Sequence, residues 1–526
     1  MLLLGAAYLP IILLIYLMSK KDSLPASQAL PLCAVVAYLV VLVVFDREVD
    51  LVHASILSGM LMAWTPILII AGAIFLFQCM EVAGALDIMR HWLNHISSNP
   101  IAQLMIVAWA FSFLIEGASG FGTPAAIAAP ILVSLGFPPL RAAICCLILN
   151  SIPVTFGAVG SPIWFGLSMV DLNPLQLTDV AWKSALINSV AAPFVVIAAL
   201  AFVVEHKKQL WQNLGFIILS TLSCTVPYLI LSGVSVEFPS LIGGLIGLVL
   251  TLILAKFGIG LRQERLPIHS SAAISPMLLL KASFPLWGTV LLLVLTRIPE
   301  IGLKALLQLT EPAWQFNLGY LGSFSISASL VLSLEHIFNT PVSWRHSLLY
   351  VPSIVPFLVI GVATLKWFKQ GSLSAVVSHT SNSMQKPLIA LMGALVFVNM
   401  MMLGGEQSAV TQIGQHLALI SGNNWGFFAP FLGALGSFFS GSATISNLTF
   451  AGIQQSIASD LELNLSTVLA MQSVGAAMGN MTCINNIVAV ASVLALQNKE
   501  GYILKRTIIV MVLYGVIAGL MGLILD

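Results

Sequence analysis

Apolar residues run along this chain in long stretches, each closed by a charged or turn-forming residue, with little of the alternation that marks a half-buried element. A stretch of about 20 apolar residues can cross a bilayer as one helix. On that basis spans are placed near 2–18, 29–45, 52–78, 142–167, 182–204, 213–232, 239–256, 277–296, 346–366, 386–404, 466–496 and 503–525. Two further apolar stretches, 101–136 and 426–458, are cut in the middle by clusters of small and hydroxyl residues. These read as re-entrant hairpins that enter and leave on one side. The expected fold is an all-α polytopic membrane protein of about 12 transmembrane helices plus two re-entrant hairpins.

Composition sharpens this picture. AVILMFWYC residues make up 59% of the 526 positions and charged residues only 8%, against roughly a quarter charged in a soluble domain. A soluble enzyme is excluded. With 21 Lys and Arg against 20 Asp and Glu, the chain has no electrostatic footprint for nucleic acid. The apolar run Met1 to Met18 has no positive charge before it and Lys20 and Lys21 after it. That charge order is the reverse of a signal peptide's, so the run reads as a first span. The six cysteines lack CxxC or Cys/His metal spacing and read as reduced packing residues. With both termini outside, only Arg47, Lys183, Arg297, Lys304 and Arg345 among Lys and Arg fall outside, which satisfies the positive-inside rule.

The two interruptions match. Ser119-Gly120-Phe121-Gly122-Thr123 and Ser440-Gly441-Ser442-Ala443-Thr444 stand 321 positions apart (119 to 440). The spans that follow carry Asn150-Ser151-Ile152-Pro153 and Gln472-Ser473-Val474-Gly475, 322 positions apart (150 to 472). This offset divides the chain into a half 1–256, with hairpin 101–136 and broken helix 142–167, and a half 277–526, with hairpin 426–458 and broken helix 466–496. A polar cytoplasmic linker, 257–276, joins them. An odd number of spans between the hairpins makes the repeats inverted in topology, the signature of a secondary transporter with its site near mid-membrane.

Backbone that leaves the helix at membrane depth is tolerable only where it is buried in protein or lines a wet cavity. The expected breaks are Glu116 to Pro124, Ser151 to Pro162, Ser440 to Asn447 and Gly475 to Thr482. Half-helices starting near Thr123 and Ser446 would aim N–H groups and a positive dipole end at an anion, which favours a small hydroxylated carboxylate. Candidate binding residues are Ser119, Gly120, Gly122, Thr123, Asn150, Ser151 and Thr155 in the first half. In the second they are Ser440, Gly441, Ser442, Thr444, Ser446, Asn447, Gln472, Asn480 and Thr482. For any single one, helix packing in lipid is the competing reading; their pairing by the repeat points to a site.

Glu116 is the only acidic residue that this layout buries deep in a segment. An ionised carboxylate there is costly enough to suggest a proton-coupling role; the competing reading is a carboxylate that caps the hairpin tip. Lys281 reads as snorkelling to the interface, Arg141 as a positive-inside anchor, and Glu335-His336 as surface. The alternating Ser323-Phe324-Ser325-Ile326-Ser327 hints at a strand. Walker A, HExxH, GxSxG and GxGxxG motifs are absent from the sequence, and no metal or cofactor is expected.

The run Glu116-Gly117-Ala118-Ser119-Gly120-Phe121-Gly122-Thr123-Pro124, then Leu135-Gly136-Phe137-Pro138-Pro139-Leu140, then Asn150-Ser151-Ile152-Pro153-Val154-Thr155-Phe156-Gly157-Ala158-Val159-Gly160, closely resembles the bacterial L-lactate permease family. Gly436-Ser437-Phe438-Phe439-Ser440-Gly441-Ser442-Ala443-Thr444-Ile445-Ser446-Asn447 resembles the same family. The resemblance extends over the whole chain in length and span order. It implies a multi-pass symporter of the bacterial cytoplasmic (inner) membrane that takes up lactate, glycolate and related 2-hydroxymonocarboxylates with protons. It also implies an ion-transporter superfamily architecture of hairpins facing broken helices. Ala443 stands where many members have Asp, and Asn480 where some have Lys, which leaves Glu116 as the remaining intramembrane coupling candidate. The expected partners are a small monocarboxylate, a proton (with Na⁺ as the alternative coupling ion), the lipid bilayer and, as an oligomer, a homodimer. Competing functions are a sodium-coupled carboxylate permease and, from another class, a proton-channel subunit or intramembrane enzyme.

Overall fold

The long apolar runs become helices: the chain is 79% helical. The computed structural model describes all residues except 1, 20–23, 94–96, 98, 121–122, 205, 263–274, 298–300, 352, 495, 497–498 and 526. Among the described residues, seven helices are long and apolar enough to cross a membrane. The pair Pro139–Leu149 and Pro153–Trp164, bent by 55°, makes an eighth if it is one broken span. Shorter apolar helices account for several other expected spans, among them Ser27–Val43, Val49–Met62 and Ile354–Phe368.

The chain forms two compact units, each drawing on both halves of the sequence. One comprises Met1–Asp87 with Pro276–His416, the other Ile88–Ser275 with Leu417–Asp526.

In the first unit the expected span 52–78 is two helices, Val49–Met62 and Trp64–Val82. The break falls at Ala63, three residues before Pro66, which has no N–H to donate to the preceding turn. Helix Leu373–Met402 lies against Ala26–Val43 so closely that a Cβ on Gly393 would come within 2.6 Å of Pro31 N. Asn399 Nδ2 also donates to Ser55 O at 3.0 Å. Lys281 places its Nζ 4.4 Å from the Phe368 ring centroid.

The all-α expectation fails at Ala313–Ser347, which forms a four-stranded antiparallel meander. Its strands are β1 (Ala313–Asn317), β2 (Ser323–Ser327), β3 (Val331–Glu335) and β4 (Trp344–Ser347). The expected strand is β2 alone. β1 alternates as well, Trp314-Gln315-Phe316-Asn317, whereas β4 has Trp344 as its one apolar residue and is ordered by its pairing, Leu334 with Trp344. Leu334, Ile337 and Trp344 pack with Ala54 and anchor the sheet on Val49–Met62. The span expected at 346–366 therefore starts late, as helix Leu358–Phe368 after a π-type turn containing Pro356. Glu335 and His336 are exposed at the end of β3.

In the second unit, helices Leu214–Ser232 and Pro239–Phe257 pack through glycine: a Cβ on Gly247 would meet Cys224 Sγ at 2.3 Å. Small residues allow the same close approach elsewhere in apolar bundles. Helix Pro174–Val203 and helix Glu500–Leu525 are the longest here. Near one end of the former, Lys183 is buried and fully engaged. Its Nζ lies 3.1 Å from Asn464 Oδ1, 3.0 Å from Thr467 Oγ1 and 2.9 Å from Asp179 Oδ2. It ties this helix to the start of helix Leu465–Asn480. Arg141 Nη1 donates to Val203 O at 3.3 Å. The expected linker residues 263–274 lie outside the described residues.

Candidate functional site

All four expected breaks fall in the second unit. The first begins with an arm that starts at Pro100, runs through a π-type stretch Met105–Phe111 and ends in helix Ser112–Ser119. Asn99 caps it, accepting from Ile101 N–H at 2.9 Å, and also donates to Arg262 O at 3.2 Å. At the other end Gly117 lies on the first turn of Pro239–Phe257, where a Cβ would be 2.4 Å from Leu241 N. The arm therefore runs along the whole of that helix, longer than a half-depth hairpin arm. It stops at Gly120, whose φ of 65° lies in the region that favours glycine. The return helix is Thr123–Ser134. Phe121 and Gly122 lie outside the described residues, as do the side chains of Ser119 and Thr123.

The second break follows helix Pro139–Leu149. Ser151 Oγ donates to Ile148 O at 2.7 Å and caps that helix's last turn. A 3-10 turn Pro153–Phe156 leads to Ala158, Val159 and Gly160, with φ of 45°, 57° and 71°. Left-handed backbone at a β-branched residue is a true outlier and costs about 1–3 kcal/mol. The surroundings hold it in place. Trp164 Nε1 donates to Val159 O at 2.9 Å, and Gly160 lies where a Cβ would be 1.9 Å from Val236 O.

Trp425–Ser440 and Ala443–Asp460 form the second hairpin, turning at Gly441 with φ 74°. Ser446 Oγ donates to Gly433 O at 2.6 Å, and Gln454 Nε2 to Ala429 O at 3.0 Å. These bonds pair residues at increasing distance on either side of the turn, so the arms are antiparallel. Ser440 Oγ donates to Gly436 O and accepts from Ser442 N–H, at 2.8 and 3.2 Å. Ser442 in turn accepts from Ile445 N–H at 3.3 Å as the N-cap of the returning helix.

The fourth break is later than expected. Helix Leu465–Asn480 is continuous through Gly475 and ends at Asn480; the next helix begins at Ile484. Gly475 serves close packing, since a Cβ there would lie 1.9 Å from Pro430 O. Thr482 Oγ1 donates to Gly479 O at 2.8 Å. The Asn486 side-chain amide donates to Asn480 O and Oδ1.

The breaks converge on one small pocket of about 10 Å³, room for about one water, lined among others by Glu116, Gly120, Ser161, Ser442, Thr444 and Asn480. Thr444 Oγ1 and Ser161 Oγ are 3.4 Å apart across it. Ala443 packs on Val154 and on Ala476 and Ala477, which fixes the second tip against the broken helix. Ala443 and Thr444 open an 18-residue helix, so their N–H groups have no intrahelical acceptor and carry its positive dipole end. Among the described residues no cationic side chain lines the cavity, and Glu116 is its one ionisable group.

Glu116 is 1% exposed. Its Oε2 accepts from Asn150 Nδ2 at 3.0 Å, while Oε1 faces Gly157, where a Cβ would be 2.5 Å away. The partner of this carboxylate is thus the amide on the broken helix, and the absence of a side chain at Gly157 makes room for its second oxygen.

The remaining candidates support the walls. Asn447 Nδ2 donates to Pro162 O at 2.8 Å, satisfying a carbonyl freed by the broken helix. Gln472 Nε2 reaches Ser446 Oγ at 3.3 Å, and its Oε1 accepts from Gln454 Nε2 at 2.9 Å. Thr155 is held by Asn188, whose Nδ2 donates to Thr155 Oγ1 at 2.9 Å and to Tyr228 OH at 2.7 Å; Tyr514 OH donates to Asn188 Oδ1. Asn188 and Tyr514 sit about halfway along the two longest helices of this unit. Gly157 and Ser161 lie inside the expected break Ser151 to Pro162 but outside the candidate binding residues, and Asn188, Tyr228 and Tyr514 lie outside the expected breaks altogether. An amide in the middle of a 30-residue apolar helix is the signal that marks Asn188. Among the described residues no group of three or more His, Cys, Asp or Glu comes together to hold a metal.

Known proteins similar in sequence extend along nearly the whole chain. The family described as L-lactate permease matches residues 4–526. A Haemophilus influenzae protein with the provisional name L-lactate permease is 46% identical over 518 residues, 98% of this chain and 97% of its own. The L-lactate permease of Escherichia coli K12 is 26% identical over 99% of this chain and 96% of its own. The glycolate permease GlcA of the same strain is 24% identical over 93% and 90%.

Proposed function

The chain belongs to the L-lactate permease family, and from that premise we propose that it takes up L-lactate and related 2-hydroxymonocarboxylates such as glycolate, together with protons, by alternating access across the bacterial cytoplasmic membrane. As a member of a permease family it is a membrane-embedded transporter and not an enzyme. In the proposed layout both termini face outward and the two hairpins re-enter from opposite sides.

One observation carries the reading. One small, partly open pocket brings together a helix N-terminus, the hydroxyls of Ser161, Ser442 and Thr444, and one carboxylate, Glu116. The N–H groups and hydroxyls suit a carboxylate and a 2-hydroxyl. Glu116 is the group proposed to couple proton movement to substrate movement.

Purified protein in liposomes tests the activity across lactate, glycolate, pyruvate, acetate and succinate, with Na⁺ present or replaced by choline. Saturable uptake of the two hydroxy acids, indifferent to Na⁺, is expected. Uptake that requires Na⁺ would favour a sodium-coupled carboxylate permease instead.

Thr444→Val keeps the shape of the side chain and removes its hydroxyl. A hydrogen bond to a charged acceptor contributes about 1.5–3 kcal/mol, so lactate affinity should fall about tenfold or more. Unchanged affinity in the folded variant would move the site away from the second tip.

A further inference from the structure

The two oxygens of Glu116 have different surroundings, and among the described residues the cavity offers no cation to balance a second negative charge. Oε2 is held by Asn150 Nδ2 at 3.0 Å, and Asn150 itself is 3% exposed at the end of helix Pro139–Leu149. Oε1 faces Gly157, which lines the cavity with Glu116. The elements packed on the end of the arm are Met105–Phe111, Thr123–Ser134, Pro153–Phe156, Gly157–Trp164 and Pro239–Phe257. None carries Asp, Glu, His, Lys or Arg except Lys256, at the far end of the last. Glu237 precedes that helix, with its Cα beside Gly160. The hydroxyl of Tyr228, whose ring meets Phe113, accepts from Asn188.

From this arrangement we infer that Glu116 Oε1 and the substrate carboxylate share one proton, so that an anionic substrate binds only to the protonated carrier. This rests on the transport reading above and states how that site couples. Two carboxylates at hydrogen-bonding distance in a water-poor site cannot both be ionised, since neither has a cation to offset the repulsion. When the anion enters, one proton enters with it and lies between Glu116 Oε1 and a substrate oxygen. Asn150 remains the donor to Oε2 throughout and is a positioning residue: it keeps Oε1, the proton-bearing oxygen, on the cavity side. Loaded carrier and empty protonated carrier differ by one negative charge, and one proton accompanies each monoanion.

The test is lactate binding to the purified full chain between pH 5 and 9. For the wild type, the dissociation constant should rise by close to tenfold per pH unit at the alkaline end, where the empty site has lost its proton. In Glu116→Gln an amide N–H replaces the shared proton, so binding should persist and become independent of pH. Equal pH dependence in both proteins, or none in the wild type, overturns the inference. A second measurement on the wild type alone covers a variant that does not fold. In weakly buffered alkaline solution, one proton should be taken up per lactate bound, and uptake of none overturns the inference equally. Absence of lactate and glycolate binding at every pH, in folded wild type, would overturn the transport reading itself and this inference with it.

Discussion

Glu116→Gln is expected to abolish uphill lactate accumulation while leaving lactate–lactate exchange close to the wild-type rate. The substitution preserves shape and a polar partner for Asn150, which donates to Glu116 Oε2 at 3.0 Å, and removes only the ability to titrate. A monoanion moving inward against an inside-negative potential loses about 2.3 kcal/mol per 100 mV, so accumulation needs a co-transported cation. Among the described residues Glu116 is the one ionisable group on the cavity wall. Exchange requires no net charge movement and survives its neutralisation. The measurement compares radiolabelled lactate exchange with proton-driven accumulation in the same proteoliposomes, after size-exclusion chromatography shows the variant to be folded. Accumulation retained at the wild-type pH dependence would reduce Glu116 to a cap on the first tip.

Gly117→Val should remove most of the folded protein. Gly117 meets backbone, not side chain: an added Cβ would lie 2.4 Å from Leu241 N and 2.6 Å from Ser240 C. Backbone cannot rotate aside as a flexible side chain can, so the arm and helix Pro239–Phe257 would have to separate. Overpacking a tight core costs about 1–3 kcal/mol and sometimes more, and this contact is at the severe end. Separation would also pull Ser240 away from Pro153 O, to which its Oγ donates at 2.7 Å, and so loosen the broken helix. Gly5→Ala is the control, because nothing lies within 4 Å of a Cβ there. The yield of monodisperse protein and the thermal midpoint should fall sharply for Gly117→Val and stay at wild type for Gly5→Ala. A wild-type midpoint for Gly117→Val would contradict the close packing of arm and helix.

What the sequence reveals about this molecule depends on how local each signal is. Gly120 and Ser440-Gly441-Ser442 are legible because the backbone there needs a glycine of positive φ and, at the second tip, hydroxyls that cap freed N–H groups, all within a few residues. Asn150 to Gly160 is legible for the same reason. Gly475 carries the same letter with a different cause, the close approach of Pro430 O, and a single sequence does not separate a glycine that bends from one that packs. Asn188, Tyr228 and Tyr514 meet across three helices, and Ser161 faces Thr444 from 283 positions away. Such partners are set by tertiary packing and leave no pattern in either segment alone. Likewise Ser446, Asn447 and Gln472 stand out as polar residues at breaks, yet their hydrogen bonds close on protein groups, Gly433 O, Pro162 O and Ser446 Oγ. In the segment Ala313–Ser347 the strand pattern is present in β1 and β2, while β4, with Trp344 as its one apolar residue, gains its order from its partner β3.

The most direct test of the account is the movement of protons with lactate through the purified protein. Liposomes loaded with a pH-sensitive dye and no permeant buffer receive an inward lactate gradient at constant external pH, with the membrane potential clamped by K⁺ and valinomycin. The account predicts saturable acidification of the lumen in step with lactate entry, one proton per lactate. It also predicts the same response to glycolate and no such response in liposomes carrying Glu116→Gln. Lactate entry at the wild-type rate without acidification beyond that of protein-free liposomes would contradict it.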